Sequence, residues 1–160
     1  MLLTGYIERG DAERFFHYIK ENFVEKKRSL TALYLDSNGG IVEEGGRIAE
    51  IVHRLDMAVV VGDGAVCRST CFLILAASSQ RIIGLKANLG VHSTAADPES
   101  MDGRSAEDTA AMAETVELAR LYRGYGVPDS VVVGMITTLP NSLYTLSEAE
   151  KSLLRAGISR

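Results

Sequence analysis

Tryptophan is absent from these 160 residues, and cysteine occurs only as Cys67 and Cys71. Two thiols are too few for a disulfide scaffold and do not make a four-ligand zinc site, so no metal is expected. Basic charge is not in excess either: 17 Lys and Arg stand against 21 Asp and Glu, a formal net charge of −4. The one basic cluster, Lys26-Lys27-Arg28, reads as a solvated helix end, which argues against a nucleic-acid partner. No apolar run approaches the ~20 residues needed to span a bilayer. No phosphate-binding loop motif occurs, and no cofactor is expected. Met1 to Gly5 is too short for a signal peptide and already reads as a strand, so any targeting segment lies outside these residues and the compartment stays open.

What is present is an ordinary globular composition, 46% hydrophobic and 24% charged, enough for a single domain over 1–160. Strands and helices alternate without a linker. Leu2 to Ile7 reads as a strand, and Asp11 as the N-cap of a helix to about Asn22 with Phe15, Ile19 and Phe23 on one face. Leu30 to Leu35 is a strand ending in the turn Asp36-Ser37-Asn38-Gly39-Gly40. A helix with Ile48, Val52 and Leu55 as its buried stripe follows, then a buried strand from Met57 to Val61. A Gly-rich turn leads through Ser69 into the short apolar helix ending near Ala77.

Two strands, Arg81 to Leu85 and Asn88 to His92, precede a polar loop from Thr94 to Ser105, which is expected to be mobile. A long helix spans about Ala106 to Arg123, with Met112, Val116 and Ala119 on one side. After a break at Gly124 to Pro128, a helix from Asp129 to about Thr138 and an extended piece within Leu139 to Thr145 lead to Ser147-Glu148-Ala149-Glu150. That last run is a capping box for a helix ending near Gly157. This order predicts an α/β class with a largely parallel sheet.

Four features carry chemistry. Gly39-Gly40 stands where a strand meets a helix, a setting in which backbone N–H groups approach a substrate closely, although a simple turn has the same residues. Ser69 lies at a strand-to-helix junction, where a serine either caps the helix or exposes its hydroxyl. A serine needs a base to take its proton. His92, ending an apolar strand before a polar loop, supplies one unless it is a core histidine satisfied by backbone. His17 and His53 read as ordinary surface residues, and the segment Leu139 to Thr145 is weak by itself.

In order and spacing these features are more specific than singly. Leu33-Tyr34-Leu35-Asp36-Ser37-Asn38-Gly39-Gly40 resembles the Asn-Ser-Pro-Gly-Gly element of Clp protease proteolytic subunits. Val66-Cys67-Arg68-Ser69-Thr70-Cys71-Phe72-Leu73 resembles the stretch around that family's nucleophile, and Leu89-Gly90-Val91-His92-Ser93 its histidine strand. Leu143 to Ile158 is similar to its closing strand and helix. The likeness is nearest to a bacterial branch described as predicted periplasmic Clp-like proteins, so cytoplasm and periplasm both remain open.

The resemblance implies the spiral of β-β-α units shared with crotonase-like proteins, and a serine peptidase acting on peptides or unfolded proteins as a homo-oligomeric ring. It implies Ser69 as nucleophile, His92 as base, and an oxyanion hole from the N–H groups of Gly40 and Thr70, with Gly39 shaping the turn. The family's third residue, an aspartate, aligns with Asn141, which can orient a histidine but brings no full charge; Asp97, Asp102 or Asp129 are the alternative acids. Asn38 stands at the usual proline. The helix from Ala106 to Arg123 corresponds to the family's ring–ring contact.

Cys67 and Cys71 read either as two buried thiols acting as small apolar side chains, the simpler reading, or as a disulfide clamping the nucleophile turn. Two other functions fit the same fold. One is a non-catalytic oligomeric binding or assembly module, favoured by the missing acid. The other is an acyl-CoA enzyme of the crotonase type, against which the serine–histidine spacing argues.

Overall fold

The computed structural model describes residues 1–26, 32–94 and 103–155. Seven strands form one sheet: β1 Leu2–Ile7, β2 Leu33–Gly40, β3 Val59–Val61, β4 Val66–Arg68, β5 Arg81–Ile83, β6 Asn88–Val91 and β7 Tyr144–Thr145. The helices are α1 Asp11–Ile19, α2 Val42–Arg54, α3 Thr70–Ala77, α4 Gly103–Gly124, α5 Asp129–Thr137 and α6 Glu148–Arg155, and α1 runs on as a π-helical turn over Lys20–Glu25. None of the described helices is long and apolar enough to cross a membrane.

β2 is the trunk of the sheet. One edge pairs in parallel with β1 along its length, while the other is shared, Leu33 and Tyr34 pairing with β3 and Ser37 with Cys67 of β4. Where the edge changes partner, Asp36 fills the gap, its carboxylate accepting the Val66 N–H at 2.9 Å. β5 continues from β3 and β6 from β4, all parallel; only β7 runs antiparallel, on β6. The sheet therefore forks and curls, leaving the ends of β2, β4 and β6 converging on one face. α3, with all eight residues buried, fills the space beneath that face. A helix so uniformly apolar has nowhere to lie but the core.

Several expectations are corrected. β2 runs through Asp36–Gly40, expected as a turn, because β1 accepts these residues as strand partners. The stripe of α2 is Gly45, Ile48, Ala49 and Val52, and Leu55 is exposed at the helix end. α4 buries Thr115, Leu118, Ala119 and Tyr122, at i, i+3, i+4, i+7, while Met112 is 70% exposed and Val116 45%. α4 also begins earlier than expected; most of the polar loop before it, residues 95–102, lies outside the described residues, as do Lys27, Arg28 and residues 156–160.

Asp11 does not cap α1 either. Gly10 holds the N-cap position at φ 89°, and the carboxylate of Glu44, reaching from α2, accepts the Ala12 N–H at 2.9 Å. The bonds from Ala12 and Gly10 hold the Glu44 carboxyl below its usual range. A carboxyl depressed in the folded state stabilises the fold above its unfolded value of ~4.3, and that contribution is lost as the pH falls through the folded value. Glu44→Gln is therefore expected to be less stable than the parent at pH 7 and to lose less on acidification from about pH 5 to 3. Urea titrations at both pH values check this; parallel losses in the two proteins would contradict it.

Candidate active site

The site is built on the junction of β4 and α3. Ser69, between them, has φ 52° and ψ −126°, a backbone setting a non-glycine residue rarely adopts and one that costs roughly 1–3 kcal/mol. Its neighbours hold it there: the Ser69 N–H donates to the Gly90 carbonyl of β6 at 2.9 Å, and its carbonyl accepts the Phe72 N–H at 2.9 Å. Although Ser69 occupies the N-cap position of α3, its hydroxyl makes no capping hydrogen bond.

Cys67 and Cys71, on either side of it, are joined as a disulfide with a Cα–Cα distance of 5.2 Å, in place of the two thiols that are the simpler reading of the sequence. The bond is fully buried and closes a small loop around the serine turn. Cys67→Ala/Cys71→Ala is expected to lose about 2 kcal/mol, the chain-entropy value for so short a loop. Thiol titration of the native protein is expected to find no free thiol until reductant is added; two thiols in the unreduced protein would contradict the bond.

The end of β2 meets this turn from the other side. A Cβ on Gly39, whose φ is +99°, would lie 2.9 Å from Ser69 Cβ and 2.8 Å from the Arg68 carbonyl oxygen, so only glycine lets the two segments approach. Buried Ser37 organises the bend: its hydroxyl donates to the Gly5 carbonyl at 2.5 Å and accepts the Gly39 N–H at 3.0 Å. Thr70 Oγ1 donates to the Gly40 carbonyl at 2.9 Å and ties α3 to the strand. Thr70 opens α3, where a backbone N–H has no partner within the helix.

A cavity of about 410 Å³ opens above the junction, and Ser69, His92, Gly40 and Thr70 all line it. His92 follows β6, and its Nδ1 lies 2.7 Å from the Ser93 carbonyl. A carbonyl only accepts, so Nδ1 carries the proton and Nε2 is left as the basic nitrogen of the neutral ring. Ser93 is itself anchored, its N–H and hydroxyl donating to the Thr138 carbonyl at 2.9 and 2.8 Å.

Asn141 is exposed in the turn after α5 and does not line the cavity. Asp129 is engaged with Arg123 at 3.3 Å at the start of α5, and Asp97 and Asp102 lie outside the described residues. The acid that does line the cavity is Glu114 of α4, which sequence reasoning missed. Burial raises its carboxyl above the usual range, partly offset by a hydrogen bond with Thr94. Its spacing with Leu118 and Tyr122, every fourth residue on the helix and all in the cavity wall, was the available signal.

A forked, mostly parallel sheet with a strained serine at a strand-to-helix junction, set against paired glycines, defines a Clp-protease-like α/β protein. The Clp protease family model matches residues 1–121, and the chain belongs to that family. Among solved structures it is similar to an asparagine-to-aspartate mutant of ClpP1 from Listeria monocytogenes, at 17% identity and TM-score 0.71, covering 98% of this chain and 87% of that one. It is also similar to a serine-to-alanine mutant of the 1510-N membrane-bound stomatin-specific protease, at 16% identity and TM-score 0.64, covering 96% of this chain and 74% of that one. No curated protein sequence matches it.

Proposed function

We propose that the protein is a serine peptidase that works through an acyl-enzyme on Ser69, with His92 as its base. The observation that carries this reading is the single cavity lined by an uncapped, strained serine, a histidine with Nδ1 already hydrogen-bonded, and the backbone of Gly40 and Thr70. His92 Nε2 takes the Ser69 proton as Oγ bonds to the substrate carbonyl carbon. The oxyanion gathers the Thr70 and Gly40 N–H groups, each such donor worth about 3 kcal/mol. The C–N bond then breaks as His92 passes its proton to the amine, and water hydrolyses the ester by the reverse route.

No carboxylate among the described residues is hydrogen-bonded to His92; the Ser93 carbonyl orients the ring in its place. That observation favours a second reading, a non-catalytic assembly module of the same fold, because no described carboxylate bonds to the ring to balance an imidazolium charge directly. Asn141 would serve as third member only if assembly carried it into the cavity. Homo-oligomerisation into a ring is supported by the family and by exposed apolar side chains on β1, β2 and α4, among them Leu2, Tyr34 and Met112. The buried disulfide supports the periplasmic branch over a reducing cytoplasm.

Incubation with an activated peptide ester and acid quenching separates the two functional readings. The peptidase reading expects the intact mass to rise by the acyl group in the parent and not in Ser69→Ala. Equal adducts in both, or none in the folded parent, would support the module.

A further inference from the structure

The cavity beside Ser69 has an uneven chemistry that bears on substrate choice. Leu73 from α3 and Leu118 and Tyr122 from α4 give it an apolar wall. Among the described residues, Glu114, one turn before Leu118, is the only carboxylate lining it, and no lysine or arginine does so. Unlike Glu117, which pairs with Arg120 one turn further along α4, Glu114 has no cationic partner among the described residues. A long aliphatic stem ending in a cation satisfies both parts of such a wall, the methylenes against the leucines and the charge against the carboxylate.

We propose that Glu114 is a specificity-determining residue that makes this cleft favour peptides placing a lysine or arginine side chain in the cavity next to Ser69. The inference rests on the peptidase reading and deepens it. The raised Glu114 carboxyl is in keeping with it, since a carboxylate partly shielded from water by the cavity wall gains from a substrate cation. The same residue disfavours acidic side chains by repulsion, so one position both selects and excludes. Glu114 is an exposed residue, and water screens the pair. The expected preference is therefore modest.

The test compares the rates at which peptidyl phosphonates with lysyl, norleucyl and glutamyl side chains label Ser69 in the full chain, alongside a small fluorophosphonate that has no side chain to place. The parent is expected to react with the lysyl probe about fivefold faster than with the norleucyl probe, and slowest with the glutamyl probe. In Glu114→Gln the lysyl-to-norleucyl ratio is expected to fall to about one, and in Glu114→Lys the glutamyl probe is expected to become the fastest. Ratios within one protein cancel any general change in reactivity. A ratio of one in the parent, or an unchanged ratio in Glu114→Gln, overturns the inference while fluorophosphonate labelling leaves the peptidase reading standing. Failure of every probe on the folded protein removes both.

Discussion

Gly40→Ala is expected to destabilise the protein by about 4 kcal/mol or more, enough to leave much of it unfolded. A Cβ at this position would sit 2.1 Å from the carbonyl oxygen of Ile7 and 2.6 Å from its nitrogen, and φ there is +156°. Both clashing atoms are backbone of β1, so no rotamer change relieves them. Gly40 is registered on Ile7, and the Ile41 N–H donates to the Ile7 carbonyl at 2.9 Å, so strand separation is the only relief. Separation would also shift the carbonyl that holds Thr70. Gly46 of α2 provides the control: a Cβ there meets nothing within 4 Å, and Gly46→Ala is expected to stabilise by about 0.5–1 kcal/mol. Urea denaturation followed by far-ultraviolet circular dichroism reads both. A Gly40→Ala protein as stable as the parent would contradict the strand register.

The second large effect concerns chemistry. Ser69→Ala is expected to abolish acylation, and His92→Ala to slow it by ~10⁴-fold or more, because a serine hydroxyl without a base is a poor nucleophile. The double variant should be little slower than either single one, since serine and histidine act as a unit. Neither side chain anchors the fold: Ser69 makes no capping bond and His92 is only partly buried. Both variants should therefore melt close to the parent. Single-turnover acylation rates read the effect, and a His92→Ala rate within tenfold of the parent would mean that another group takes the proton.

How much of this was legible depended on whether local chemistry or distant partners decide each element. The capping box at Ser147 and Glu150 forms as read, the Ser147 N–H and hydroxyl both donating to Glu150 Oε2, because its partners are neighbours in the chain. α3 was readable from its unbroken apolar run. β4 was not, since a strand of three residues ending in an arginine has no period to detect; its pairing with β6 makes it a strand. The buried face of α4 was misjudged because Met112 and Val116 mimic a stripe, and only the packing against Thr94 and Phe72 selects Thr115 and Tyr122 instead.

At the site, Ser69, His92 and Gly40 stood out by residue type at strand ends and Thr70 through the family resemblance, and the fold brings them to one cavity. Two things were less legible. The bond between Cys67 and Cys71 was one of two readings, because it depends on how the chain turns at Ser69, which spacing alone leaves open. Glu114 was hidden among the acids of an amphipathic helix until the fold turned it toward the cleft.

The most direct test of the central claim is labelling with a fluorophosphonate followed by peptide mass spectrometry, on the parent and on His92→Ala, with the assembly state checked in the same samples. The peptidase account predicts modification confined to Ser69 in the parent and lost in the His92 variant. An unlabelled protein that is folded and assembled, or label spread equally over Ser78 and Ser79, would contradict it.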